Sequence, residues 1–550
     1  MSTEFLVGLK RFMASGAAAY LSNSRRGIEK ESLRVRSDGR LSSHSHPSGL
    51  GAALTHPYIT TDYSEAQLEL ITPTSDSLDG VLTFLTDLHR YVFRHIGDEL
   101  MWVNSMPCVI DSEASIPIAR YGQSMLGRLK HIYRQGLSHR YGRAMQAISG
   151  VHFNYSFTDE FWSCFAQSGV FAGPEEWSSL LGAKHLLGGG EPSVDEPLLA
   201  LQRVKNAGYF AIIRNFMRIN WWLVLVFGAS PAVCNSFFQG RQHQLLIPDN
   251  HTALGPYATS LRMGDLGYQN SRQKSLSVCH NSVEAYARSL QRAMRMPDED
   301  FAAIGLCVDG EYRQLSTNVL QIENEYYGSI RPKRTVKGLE RPSDALLRLG
   351  VEYLEVRLLD LDPFESVGVS REQLQVIEVL LLYCLLCDSP LLTDSEYADT
   401  RKRMNQVVNR GRDPNEKLSF AGKTDCIQTQ ALRLLDDLNA VAEAAGIADW
   451  AQTEKRMRQR LEDFDQLPSA RILAELSESQ RSYFDWAVQR AEATADVFRN
   501  SPIDPARLRQ FEAATRASVS DQELLERDHK DFAPFLAEFL GFDPTLAPSQ

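Results

Sequence analysis

Two carboxylates two residues apart, Glu29 and Glu31 in the run RRGIEKESLRV, are the first residues whose types and spacing could do chemistry. In an extended chain, side chains i and i+2 share a face, whereas in a helix they diverge by about 200°. Gly27 before the pair and Ser37, Asp38 and Gly39 after it bound a segment of strand length. Two acids held side by side away from water repel each other, and a divalent cation is the common remedy. Read alone, the same pair is also an exposed strand with both acids in water.

Other segments repeat the pattern. In TTDYSEAQLELITP, Gln67, Glu69 and Ile71 share one strand face, with Asp62 just upstream. VHFNYSF places His152 with Asn154, and GVEYLEVRLLDLDP places Glu355 with Arg357. Hard oxygen donors with one imidazole suit Mg²⁺, or Mn²⁺, better than zinc. The basic counterparts are Arg262, Arg331, Lys333, Arg334 and Arg357. Acids to hold cations and guanidinium groups to hold phosphate or carboxylate oxygens are the parts of metal-assisted phosphoryl transfer. Each part has a plainer reading: His152 as a hydrogen-bonded core residue, Glu355 with Arg357 as an edge-strand pair, IRPKR as a solvated loop. Spacing alone names no substrate.

The elements that must position these residues follow from hydrophobic period. Helices are expected over 3–22, 77–97 and 120–147, and an apolar helix bearing Arg214 and Arg218 over 208–227. A polar loop covers 41–51, and a loop rich in polar and aromatic groups runs from Pro256 to Tyr268. From Asn318 the sequence NVLQIENEYYGSIRPKR reads as an alternating acidic strand joined to a basic turn. Segment 171–206 reads as a surface insertion with a helical piece. Its Gly188, Gly189 and Gly190 are not followed by the Lys-Ser or Lys-Thr of a phosphate loop. Beyond Pro363 the helical period dominates, so the expected division is a catalytic α+β part over 1–365 and a helical region over 366–550 packed on it.

With 550 residues and a net charge of -11, the chain has material for a large core and disfavours an extended nucleic-acid surface. Its longest apolar runs fall short of the ~20 residues of a membrane span, so a cytoplasmic protein that does not enter the membrane is expected. The eight cysteines are scattered and read as reduced thiols. Cys384 and Cys387 form a CxxC inside LLLYCLLCD, where a buried helix explains them better than zinc does.

The runs RRGIEKESLRV, TTDYSEAQLELITP, AISGVHFNYSF, ATSLRMGDLGY, VLQIENEYYGSIRPKR and SDALLRLGVEYLEVRLLDLDPF together resemble glutamate–cysteine ligases of the gamma-proteobacterial type, with NRGRDP and SARIL extending the likeness towards the C-terminus. The resemblance implies an α+β fold related to glutamine synthetase, a curved antiparallel sheet with helices packed outside it. It implies the joining of L-glutamate and L-cysteine at the expense of Mg-ATP, and inhibition by glutathione. By position, Glu29, Asp62 and Glu69 are similar to one metal site of the family, and Glu31, His152 and Glu355 to the ligands of neighbouring metals. Arg262 and Arg357 resemble the arginines that engage substrate carboxylate and the transferred phosphoryl group. Arg331, Lys333 and Arg334 are candidates for the phosphates of ATP. Tyr133, Leu137, Gln146, Tyr268 and Tyr327 match the cysteine pocket, with the tyrosines and loop 256–268 expected to keep water out. The competing readings are another carboxylate–amine ligase of the same fold, or a metal-dependent phosphohydrolase or nucleotide-binding regulator.

Overall fold

The computed structural model describes residues 3–107, 109–167, 196–267, 276–336, 338–527 and 531–545. Seven strands form the sheet that organises it: β1 (Arg25–Val35), β2 (Ile59–Thr61), β3 (Gln67–Ile71), β4 (Leu100–Met101), β5 (Val151–Ser156), β6 (Ile330–Lys333) and β7 (Tyr353–Leu359). The order is β6-β7-β5-β1-β3-β2, every pairing is antiparallel, and β4 pairs with the end of β1. With the helices packed around it, this is the α+β architecture expected.

Alternation along the strands divides the sheet into a greasy face and a polar one. Ile28, Leu68, Leu70, Phe153, Leu354 and Val356 are completely buried on one side. Each such side chain contributes about 1.5–3 kcal/mol on leaving water. The helix Leu78–Phe93 covers β1, with Ser77 capping its first turn through the Gly80 N–H. Lys30, between Glu29 and Glu31, points into this greasy side, where its Nζ lies 3.0 Å from His89 Nε2 and burial lowers its pKa to about 7. The sheet's pleat thus sends one charge backward and two forward.

The expected apolar helix over 208–227 is longer and broken. It begins at Glu196, ends at Ile219, and resumes as Trp221–Phe227 after a 59° bend. At the bend Asn220 donates Nδ2 to Ser329 Oγ. Of the 171–206 insertion, residues 171–195, including the triple glycine, lie outside the described residues. Among the described residues no single helix is long and apolar enough to cross a membrane.

The expected acidic strand after Asn318 is instead an irregular segment with a 3₁₀ turn at Glu323–Glu325, and the expected basic turn is strand β6. The acids are consumed locally. Glu323 accepts from the Ser343 N–H and hydroxyl, and Glu325 from Arg140, Tyr141 and the Gln321 N–H. Pro332 is tolerated because β6 is an edge strand, which needs ladder bonds on one side only.

Beyond residue 370 the described residues are helical apart from one hairpin, Lys417–Phe420 with Lys423–Cys426. The helix Arg371–Leu386 opens on a capping box between Ser370 and Gln373 and packs on Glu196–Ile219. It carries Cys384, and Cys387 caps its end; burial raises both thiols, as a structural role requires.

Candidate active site

The polar face of the sheet gathers the candidate residues through its register. Glu29 stands opposite His152, Glu31 opposite Glu69, Glu355 opposite Asn154, and Arg331 opposite Glu355. Directly paired residues point to the same side, so segments separated by more than 300 positions deliver one ridge of acids, imidazole and guanidinium. His152 is its hub. Its Nδ1 lies 3.3 Å from Glu29 Oε2 and 4.0 Å from Glu355 Oε1, and its Nε2 is 3.7 Å from Glu31 Oε1. Asn154 donates Nδ2 to Glu29 Oε1 at 2.8 Å.

The electrostatics split this ridge in two. On one side Glu355 is buried among cations: Arg357 Nη1 at 3.1 Å, Lys333 Nζ at 3.5 Å and Arg331 Nη1 at 4.0 Å. Burial alone would raise its pKa, but Arg357 and then Lys333, His152 and Arg331 hold it well below the usual carboxylate range. Burial also opposes the charge on Glu29, yet the hydrogen bond to His152 leaves its pKa lowered. On the other side burial and neighbouring acids outweigh the arginines. Burial, followed by Asp62, pushes Glu31 up to about 8, and burial with Glu29, Asp62 and Glu31 raises Glu69 well above its ordinary value.

This arrangement fits a divalent cation. Glu29, His152 and Glu355 can each offer a donor atom within 4.8 Å of the others. Glu355 Oε2 and Asn154 Oδ1 are buried without a hydrogen-bond partner, and the Glu31–Asp62–Glu69 group is a cluster of acids whose mutual repulsion a cation would relieve. The donors are oxygen with one imidazole, the set that suits Mg²⁺ or Mn²⁺. The tightest grouping therefore joins Glu29 to His152 and Glu355, whereas the resemblance grouped Glu29 with Asp62 and Glu69.

Beside the acids lies a cavity of about 100 Å³. That is room for a handful of water-sized groups. Tyr133, Leu137, Gln146 and Tyr327 all line it, together with Glu31, Asp62 and Arg357. Tyr133 and Leu137 are one turn apart on the helix Met125–Tyr141. Tyr327 lies beside Arg357, whose guanidinium carbon is 5.9 Å from its ring centroid. Tyr268 lies outside the described residues.

Two arginines stand elsewhere than a ligand-facing role suggests. Arg262 is fully buried and donates Nη2 to the Arg357 carbonyl at 2.8 Å. It packs so closely under Gly150 that a Cβ there would stand 2.0 Å from Nη2. The Gly150 N–H in turn donates to Glu31 Oε2 at 2.8 Å, so Arg262 reaches both Arg357 and Glu31 through backbone. Arg334 turns away from the ridge towards Glu352, 3.9 Å distant.

Arg134, Asp360 and Glu325 are among the residues of the site that were not singled out from the sequence. Arg134 lines the cavity next to Tyr133, its guanidinium donating to the Asp62 and Lys130 carbonyls. It is three residues before Leu137, so counting along the helical face from Leu137 reaches it. Asp360 sits behind Arg262, 3.7 Å from Nη1, and accepts from Ser230, Ser260 and the Ala229 N–H. Glu325 lines the cavity wall. Asp360 carries no spacing signal, because its partners are distant in sequence, and the alternation of Glu325 with Glu323 points to a strand and not to the ion pair with Arg140.

Known proteins are similar to this chain along nearly its whole length. The family model described as glutamate-cysteine ligase matches residues 9–174 and 192–407. A glutamate–cysteine ligase of Alcanivorax borkumensis is 43% identical over 533 residues, covering 95% of this chain and 97% of the relative. One of Yersinia pseudotuberculosis is 42% identical over 529 residues, covering 94% and 96%. A crystal structure of the Francisella tularensis glutamate–cysteine ligase in complex with AMP superposes with a TM-score of 0.84 at 32% identity, covering 94% of this chain and 97% of the other. By family model, by identity along nearly its whole length and by fold, this chain belongs to the glutamate–cysteine ligase family.

Proposed function

We infer that this protein ligates L-cysteine to the γ-carboxyl group of L-glutamate with hydrolysis of ATP to ADP and phosphate, the first step of glutathione synthesis. The observation that carries the reading is the junction of two features: a ridge of acids and arginines suited to phosphoryl transfer, and a cavity that shares Glu31 and Arg357 with it.

In this reading the γ-carboxylate of glutamate attacks the γ-phosphorus of ATP, giving a γ-glutamyl phosphate and ADP. The neutral amine of cysteine then attacks the acyl carbon and phosphate leaves. Arg357 lines the cavity, its charge reinforced by Glu355, Tyr327, Glu31 and Glu29 against the cost of burial. In this reading it would balance charge on the transferred phosphoryl group. Arg331 and Lys333 also lie against Glu355 and are the candidates for the nucleotide phosphates. Arg262 would act from behind by fixing the Arg357 backbone and the Gly150 peptide that holds Glu31. Tyr133, Leu137 and Tyr327 wall the cavity against water, which would otherwise hydrolyse the acyl phosphate. Mg²⁺, or Mn²⁺, held by Glu29, His152 and Glu355 and by Glu31, Asp62 and Glu69, would neutralise phosphate charge there.

The cytoplasm, where ATP and reduced cysteine meet, is the compartment this chemistry calls for, and inhibition by glutathione is expected from the family. The test is ADP release from Mg-ATP with each amino acid supplied alone and together. Release that needs both glutamate and cysteine is expected. Release satisfied equally by ammonia would point to another carboxylate–amine ligase, and release indifferent to both amino acids to a phosphohydrolase.

A further inference from the structure

The cavity beside the acids is walled by chain segments nearly 200 residues apart. The helix Met125–Tyr141 supplies Tyr133 and Leu137, and the segment around Glu323–Glu325 leads into Asn324 and Tyr327 on the facing side. The distance between these walls decides what fits between them, and two devices hold it.

The first is a close approach. Gly136 lies on the helix between Tyr133 and Leu137, and a Cβ there would stand 2.1 Å from Gln321 Oε1. Gln321 is completely buried and cannot retreat without loss. Its Oε1 accepts from the Leu315 N–H at 2.9 Å, and its Nε2 donates to the Tyr133 carbonyl at 3.3 Å. The second device is an ion pair one turn further along. Arg140 Nη1 meets Glu325 Oε1 at 2.9 Å, with both side chains at 1% exposure or less. Arg140 also donates to the Ser316 carbonyl at 2.6 Å and to Gln314 Oε1 at 3.0 Å, and its guanidinium lies over the Phe301 ring at 4.1 Å.

Glu325 reaches the cavity surface, yet both its oxygens are engaged by the protein. Oε1 also accepts from Tyr141 Oη at 2.7 Å, and Oε2 accepts from the Gln321 N–H at 2.7 Å. A carboxylate so occupied is a tie between walls and not a group awaiting a substrate. A buried ion pair is a weak source of stability compared with apolar packing, but its directional bonds hold a register. Here the register is the spacing of the cavity.

We propose that the Arg140–Glu325 pair, seated by Gly136 against Gln321, is the spacer that sets the width of the amine-acceptor cavity and selects a short side chain such as that of cysteine over one a methylene longer. The proposal rests on the cavity receiving the amine-bearing amino acid, as in the reading above. A single methylene changes kcat/KM by about 10–200-fold only where the walls cannot yield.

The test is kcat/KM by ADP release, in the presence of glutamate, for L-cysteine and for L-homocysteine in the wild type and in Gly136→Ala, Tyr141→Phe and Glu325→Gln. The wild type should prefer cysteine. The cysteine-to-homocysteine ratio should fall about tenfold in Gly136→Ala and Glu325→Gln, and less in Tyr141→Phe, which removes a single hydrogen bond. Should Glu325→Gln not fold, the other two variants decide, because Gly136→Ala pushes on the seat of the pair and Tyr141→Phe removes a hydrogen bond to Glu325 itself. Folded variants that lose activity on both amino acids by the same factor, or a wild type that does not discriminate, would overturn the proposal. Wild-type ADP release that ignores cysteine altogether would instead overturn the underlying reading and is seen in the same measurements.

Discussion

Replacing Glu355 by Gln should damage both the fold and the reaction, and by amounts the structure sets. Glu355 is 1% exposed and lies 3.1, 3.5 and 4.0 Å from cationic nitrogens of Arg357, Lys333 and Arg331. At an effective dielectric constant of about 20, those attractions are roughly 5, 5 and 4 kcal/mol before the cost of burying the charges. Desolvation offsets most of that sum, and removal of one partner from a buried charge cluster costs about 3–5 kcal/mol. Gln preserves the shape and leaves the three cations to repel one another. Urea unfolding in EDTA, which keeps cation binding out of the comparison, should therefore show a loss of about 3–5 kcal/mol. In the assay, turnover should fall by at least about 100-fold, with half-saturation at higher Mg²⁺, since loss of even an outer-shell metal partner costs about 10–100-fold. A stability loss below about 1 kcal/mol would refute the account of Glu355 as the anion at the centre of this ring. Turnover within about threefold of wild type with an unchanged Mg²⁺ response would remove it from the metal ligands.

Two further outcomes are expected. Asp360→Asn should lower turnover about tenfold by loosening Arg262, and should cost little more in an Arg262→Lys background; losses that simply multiply would show that the two act separately. His56 Nδ1 accepts from the Tyr58 and Ile59 N–H groups at 3.1 and 2.9 Å, and burial lowers its pKa to about 4. Between pH ~6.5 and that value the unfolded chain binds a proton that the folded chain refuses, so stability falls as the pH drops, by on the order of 3 kcal/mol in full. His56→Asn, which can still accept through its amide oxygen, should flatten that slope in urea unfolding at pH 7 and pH 4.5, and an unchanged slope would count against the assignment.

Much of the site was legible because strand alternation is local. Glu29 with Glu31, His152 with Asn154 and Glu355 with Arg357 share a face for a reason contained within three residues, and the structure places all of them on one side of the sheet. Local pattern failed where acids serve partners far along the chain. The alternation at Glu323 and Glu325 imitates a strand, but one carboxylate is taken by Ser343 and the other by Arg140. The helix break at Asn220 left no proline or glycine as a sign, since the Asn220 side chain bonds to Ser329, more than 100 residues away.

The sequence by itself therefore determined which residues share a face, which segments are amphipathic, and, through its family likeness, which substrates to expect. Only the tertiary structure decided which faces meet. Strand register set Glu29 against His152 and Glu31 against Glu69, surrounded Glu355 with cations while leaving Glu31 and Glu69 among acids, and drew Arg262 beneath Gly150. The physical reason is that side-chain direction follows from backbone period within a few residues, whereas Coulomb energy and cavity width depend on distances between segments, which exist only once the sheet has formed.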